Sequence, residues 1–558
     1  MHSKTGTLLG TLIAISLVAC GRGDDAASVD AGAETPAADI MTVASPDDVP
    51  LYDNLGTLHH EITTDVPAAQ DYFDQGLRWL YAFNHVAAAQ SFTVAEILDP
   101  SCAMCAWGVA LANAPNINQP MDAAGAVEAY VAIQQALENS AGATEGERAL
   151  IEAMAARFDP DPLAPRPGLD SAYARAMGEI AAAYPADPDA LVLHADALMN
   201  LSPWSYYTED GEPRPDTPVI LARLESAMAV SPDHPGACHF FIHAVEANDP
   251  ELAVPCAEHL AGLMPGSGHL VHMPGHIYIR VGRYSDAIEA NKHAVHADES
   301  YMEGSHVSRR GIYAQGYYPH NYHFMGFAAL MSGDSETALY AARKVSEKVG
   351  PEVASEIGWL EVITPFVYWT LVSFGMWDEV LAEPLDPSAL PFTTGQAYYA
   401  RGIAFAATGQ PAQAEAALDT VDAIVADFPE GNSKTALRIA AEALAGEIAL
   451  RSGDVDLAVR HFGKAVELED GLPYNEPPTW YYPMRQSLGK ALLAAGRPDE
   501  AEAVYREDLD RFPRNGWSLF GLQQSLDAQG KTDEAAKVGA QFEEAWKNAD
   551  VTLEASRF

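Results

Sequence analysis

The stretch VGRYSDAIEANKHAVHAD (281–298) decides the fold. Gly282 is followed five residues later by Ala287, and small or apolar residues then return at helical spacing. A glycine there supplies the left-handed backbone that a tight turn between helices demands. The arrangement recurs in MSGDSETALYAARKV (331–345), ATGQPAQAEAAL (407–418), RSGDVDLAVRHFGKAVEL (451–468), AAGRPDEAEAVYREDLDRFP (494–513) and AQGKTDEAAKV (528–538). AFNHVAAAQSFTVAEILDP (82–100) carries Asn84-His85 where the others turn on glycine. A unit of this size cannot bury its own apolar face, so units must stack. The expected fold is all-α, an α-solenoid of helix-turn-helix repeats.

Composition agrees. Hydrophobic residues make up 48% of the 558, enough for a large core, and Ala and Leu outweigh runs of β-branched residues. The 78 acidic and 33 basic residues give a formal charge of −45. That surface repels phosphate backbones and anionic lipid headgroups, so no nucleic-acid partner is expected. It suits cations and metals.

The repeats resemble the tetratricopeptide family, over most of residues 65 to 545. The resemblance specifies fold and says little of function. The N-terminus reads as an export signal: Lys4, then a short apolar run from Leu8 to Val18. Leu17-Val18-Ala19-Cys20 resembles the lipobox of bacterial lipoproteins, which implies cleavage before Cys20 and a lipid anchor on it. Gly21, with no Asp there, implies outer-membrane sorting, facing the periplasm. The expected organisation is a signal peptide (1–19), a disordered tether (20–48), an N-terminal repeat array (49–346), an irregular helical linker (347–395) and C-terminal repeats (396–558).

Histidines are unevenly placed. Of 18, 11 fall within residues 239 to 323. CHFFIHAVEA (238–247), HLVHMPGHIYIR (269–280) and PHNYHFMGFAALMSG (319–333) read as first helices of three successive units. They carry His239 and His243; His269, His272 and His276; and His320 and His323. Spacings of three and four stack side chains on one helix face. In the tetratricopeptide register these positions face the concave groove, as the resemblance implies. Neighbouring helices lie about 10 Å apart, so imidazoles from adjacent helices can meet at one ion. Seven candidates exceed one tetrahedral shell, which leaves two ions, or one ion with further histidines behind it. Imidazole-rich, carboxylate-poor sites favour copper or zinc, with iron possible. Glu246, one turn past His243, reads as a ligand, an orienter or a general base.

Four further expectations concern chemistry. Cys102 and Cys105 read as a disulfide, a soft-metal site or extra ligands for the histidines; Cys238 and Cys256 read as a disulfide bracing the histidine helix. SYMEGSHVSRRGIYAQGYY (300–318) reads either as a lid over the groove, with His306, Arg309 and Arg310 bringing cations to an anionic ligand, or as a solvated loop. Arg280 is expected to point inward and bind an anion. The Asn-, Pro- and aromatic-rich loops NAPNINQPM (113–121) and YNEPPTWYYPMR (474–485) read as ligand surfaces or structural caps.

His59, His60, His85, His194 and His461 read as surface or core histidines, as do His259, His293 and His296. The chain also resembles exported bacterial tetratricopeptide proteins with H-x-x-H-M-P-x-H-I-Y and R-N-G-W-S-L-F-G-L segments, here 269–278 and 514–522. Two functions are in view: a groove metal site, as an oxidase, hydrolase or metal handler, or a scaffold gripping a protein or peptide partner.

Overall fold

The computed structural model describes residues 43–208, 210–304 and 307–558. Cys20, His306 and the proposed signal peptide lie outside them, as does most of the 20–48 tether. At its end, Pro46–Asp48 forms a single 3-10 turn whose Pro46 carbonyl accepts from the Tyr72 hydroxyl at 3.2 Å. Among the described residues the secondary structure is helical, with no strand beyond two isolated bridges. No helix there is long and apolar enough to cross a membrane.

Successive helices pack as pairs. Pro67–Tyr81 packs on His85–Leu98, Ala103–Ala112 on Ala123–Asn139, Asn432–Ser452 on Val455–Asp470, and Gly516–Ala528 on Thr532–Ala545. First helices also touch first helices of the next unit, as Pro391–Ala407 touches Asn432–Ser452. This is an α-solenoid of helix-turn-helix repeats. The turn glycines Gly282, Gly333, Gly409, Gly453, Gly496 and Gly530 all have φ between +73° and +86°, a region that costs other residues about 1 kcal/mol or more. Where the sequence has no turn glycine, Phe83 takes φ +53° instead. Residues 350 to 382 hold only short helices, such as Pro351–Glu356, Phe366–Ser373 and Trp377–Ala382.

One feature departs from simple stacking. The Trp517 indole donates to the Leu330 carbonyl at 2.8 Å, across 187 residues. Asp550 accepts from the backbone N–H of Ser335 at 2.9 Å and Glu336 at 3.0 Å, capping the Ser335–Lys348 helix. C-terminal units therefore lie against the middle of the chain, which brings residues 474–476 to the histidine helices.

Candidate metal centre

Three segments bring the histidines together. The Pro235–Val245 helix carries His239 and His243 and hands over to Glu246, its C-cap. The second segment runs as Gly268–His272 and Pro274–Arg280, joined at Met273 with helical φ −50° and ψ −36°. Its continuity keeps His269, His272 and His276 on one face. The third, Tyr318–Ser332, follows a π-helical turn at Ile312–Tyr317 and carries His320 and His323.

The rings gather as two adjoining triads. In each, one nitrogen per residue lies within 4.8 Å of the others: His239, His243 and His269; then His272, His276 and His320. A third group, His243, Glu246, His276 and Glu476, joins the two.

In the inner triad, His239 Nδ1 lies 2.6 Å from the Tyr81 carbonyl oxygen, and that acceptor places the proton on Nδ1. His239 Nε2 is left facing His269 Nε2 at 3.1 Å. His243 Nδ1 donates to Glu246 Oε1 at 2.8 Å. Its Nε2, like His269 Nδ1, is buried with no partner. A buried nitrogen lone pair without a donor is costly, and an ion bound there removes the cost. Aromatic rings seal this triad. Phe83 lies 5.5 Å from His269 and 4.5 Å from His239, Tyr317 4.8 Å from His269, and Trp204 edge-on 5.1 Å from His243. Trp204, like Phe83, has positive φ, +62°. Among the described residues, two of the three non-glycine residues so strained touch the histidines, a pattern typical of functional sites.

The outer triad constrains its protons more tightly. Asn291 Nδ2 donates to the Ala287 carbonyl at 2.8 Å, which turns Oδ1 toward His272 Nδ1 at 2.7 Å. Gly275 makes room for this amide; a Cβ there would sit 2.8 Å from Asn291 Nδ2. His276 Nδ1 lies between Glu246 Oε2 at 2.6 Å and Glu476 Oε2 at 2.8 Å. Both rings thus carry a proton on Nδ1. Their Nε2 atoms then face each other 2.7 Å apart. In neutral rings these are two opposed lone pairs, so a positive charge must lie between them: an extra proton or a shared metal ion.

Electrostatics separate one ring from the rest. Burial pushes His243 and His320 down to about 3, and holds His239, His269 and His272 well below the usual imidazole range. These five are neutral, the form that binds metal. Burial lowers His276 too, but the Glu476 and Glu246 carboxylates outweigh it and push the ring up to about 10. Burial and then Glu246 raise Glu476 to about 7, against the pull of His276. The Tyr474 hydroxyl reaches both carboxylates, 3.2 Å from Glu246 Oε2 and 3.1 Å from Glu476 Oε2. Glu246 is fully buried, whereas His320, Glu476 and Tyr474 retain exposure. The outer triad is the side that meets solvent.

Not every expected residue joins. His323 lies one turn from His320, but its ring points to Phe366, edge-on at 4.7 Å, outside both triads. Arg280 binds no open anion position; its guanidinium donates to the Glu246 and Ala247 carbonyls at 3.2 and 3.1 Å and stacks over Tyr474. Two of its donors satisfy the last carbonyls of the His239 helix. Arg309 is exposed, and Arg310 pairs with Glu356 at 3.3 Å on the surface. The 300–318 segment meets the triads through Tyr317 instead. Glu246 has both oxygens on ring nitrogens, the placement of an orienter. Disulfides join Cys102 to Cys105 and Cys238 to Cys256.

Sequence reasoning missed Asn291, Phe83 and Trp204, and quoted Tyr474 and Glu476 only within a loop read as a ligand surface or structural cap. It also missed His234, which with His60 and Tyr81 surrounds Asp189 at 3.1, 2.8 and 2.6 Å. That knot fixes the end of the Pro67–Tyr81 helix, whose Tyr81 carbonyl orients His239.

Comparison with known proteins yields a short repeat-family match and distant structural similarity. No curated protein matches the chain. Among solved structures, the human IFIT1 dimer with m7Gppp-AAAA is 14% identical, with 88% of this chain and 92% of that one covered and a TM-score of 0.31. Yeast Tom70 is 13% identical, with 87% and 92% covered and a TM-score of 0.29. At such scores neither bears on what this chain does. The tetratricopeptide repeat family model matches residues 395–420, on the helices Pro391–Ala407 and Pro411–Asp427, and 487–507, on Met484–Ala494 and Pro498–Arg511.

Proposed function

We propose that this chain holds two transition-metal ions, copper fitting best, one in each histidine triad, and that the pair carries out oxidase chemistry. The observation that carries this reading is the donor set: two groups of three imidazoles, joined through Glu246, in which His239, His243, His272 and His276 have Nδ1 tied to a fixed acceptor and Nε2 left to face the cluster. Histidine ligands whose far nitrogen is held in this way are the usual construction of a metal site. Six imidazoles suit copper above magnesium or calcium, which prefer oxygen. Bound copper supplies one-electron exchange at each ion, the capacity dioxygen reduction needs.

The chain's own residues do the rest. Glu246 holds His243 and His276 from behind, one oxygen to each. Phe83, Trp204 and Tyr317 keep water from the inner triad. At the outer triad Glu476 and Tyr474 link the buried His276 Nδ1 to solvent, a route for protons in either direction. In the same reading the chain is exported and tethered by lipid at Cys20, which a radiolabelled palmitate incorporation lost in Cys20→Ala would support.

The test is elemental. Protein purified without a histidine tag and reconstituted with copper should hold about two ions per chain, and fewer than about one after reconstitution with copper, zinc or iron would end this reading. A second reading, a scaffold for a peptide, draws on the repeat-family match and on a cleft of about 490 Å³ lined by Glu299, Tyr322 and Tyr340. It predicts partner capture that survives complete metal removal.

A further inference from the structure

Three sulfur atoms meet beside the His239 helix, off its imidazole face. Met228 comes from the Thr217–Val230 helix, Cys238 from Pro235–Val245 and Cys256 from Val254–Leu260. The Met228 Sδ lies 3.7 Å from Cys238 Sγ and 3.2 Å from Cys256 Sγ. Both cysteines are buried, while Met228 is half-exposed and leads from the surface to the pair. Cys238 directly precedes His239, so on one helix the sulfur face and the inner imidazole face are about 100° apart. A thioether over a disulfide packs adequately, but three sulfurs from three helices converging at these distances, one residue from a metal-binding face, have the makings of a soft-metal site.

We infer that Met228, Cys238 and Cys256 form a copper(I) site when the Cys238–Cys256 disulfide is reduced, and that it loads the inner histidine triad. The sulfur site itself stands apart from the function proposed above; only its role in loading rests on that reading. The chemistry balances without a change in the metal. The disulfide takes two electrons and two protons from a dithiol reductant, which is itself oxidised to a disulfide. Copper(I) then displaces both thiol protons and is held by two thiolates and one thioether. Soft sulfur ligands select copper(I) over zinc-type imidazole or hard oxygen sites. Re-oxidation of the pair by a disulfide oxidant, which takes the two electrons, gains two protons from solvent and leaves as a dithiol, removes two of its three ligands and releases the ion beside the histidine helix.

The test uses the full mature chain in a Cys102→Ser/Cys105→Ser background, so that no other cysteine pair responds to reductant. Copper(I) is titrated anaerobically against bathocuproine disulfonate, before and after reduction and removal of the reductant. The reduced chain should take up one more copper(I) than the oxidised chain, with X-ray absorption showing three sulfur neighbours for that ion. Met228→Leu, which keeps the volume, should weaken it at least tenfold and lower the sulfur count to two. Equal uptake by oxidised and reduced chains overturns the inference, as does Met228→Leu binding as tightly as the parent. Extra copper on a reduced chain that has lost its helical circular dichroism overturns it as well. Because histidine-bound copper is common to both redox states, an oxidised chain with no copper would end the oxidase reading while leaving the sulfur site to be decided by the difference.

Discussion

The ring of Phe83 lies parallel to that of His243, 7° between planes and 5.8 Å between centroids, and it arrives there from a backbone at φ +53°. The strain of that backbone is sustained by packing on all three inner imidazoles. Phe83→Ala keeps the strain and loses the packing, so it should destabilise the fold by about 3–4 kcal/mol and open the inner triad to water. Urea unfolding reads the first effect; faster chelator stripping of metal reads the second.

Metal stoichiometry should follow the triads. His272→Ala should remove about one of two ions, and His272→Ala with His243→Ala about both. His323→Ala and His461→Ala should leave the content unchanged, since His323 faces Phe366 and His461 pairs with Glu442 at 2.7 Å far along the chain. Mass-spectrometric metal analysis checks all four, and loss of metal from His461→Ala would mean the site has been misplaced.

Glu246→Gln tests the bridge between triads. One carboxamide can accept from only one of the two Nδ1–H groups that Glu246 now satisfies, and its amino group would confront the other. The expected result is about a 10–100-fold loss of metal affinity, with the apo fold destabilised by about 1–3 kcal/mol. Competition against a chelator of known affinity gives the former and thermal unfolding of the apo protein the latter.

Stability should also depend on pH through His60. Burial lowers this ring, but the hydrogen bond and charge of Asp189 outweigh it and push it from 6.5 up to about 9. A pKa raised in the fold stabilises below the unfolded value and loses that contribution as pH rises through the folded one. The gap between the parent and His60→Phe should therefore be largest below pH 6.5, about 3 kcal/mol, and should shrink as pH climbs to about 9. Denaturant midpoints across that range decide it; a gap that widens with pH would refute the assignment.

How much of this was legible in the sequence depended on range. Turn glycines were legible because only glycine sits cheaply at φ near +75°, and Gly282, Gly333, Gly453 and their kin all do. The histidine helices were legible because spacings of three and four force rings onto one face. His323 shows the limit: two residues three apart diverge by about 60° around a helix, and that turned this ring to Phe366 while His320 faced the triad. Glu476 and Tyr474 were quoted in a loop but not as neighbours of the histidines. Their place depends on Trp517 and Asp550 docking C-terminal units onto the middle of the chain, and no local pattern encodes a contact across 200 residues. Phe83 was hidden for another reason: an aromatic residue at the turn where glycine was expected gives no local sign that it is a strained wedge.

Repeat arrays ordinarily unzip from their ends, because each unit is held only by its neighbours. Here Trp517 and Asp550 rivet the last units to the middle ones, and Glu476 adds a third fastening at the histidines. Fraying from the C-terminus would have to break all three at once, so the middle and final units should melt in one calorimetric transition, and metal occupancy near residue 276 should be felt as heat resistance more than two hundred residues downstream.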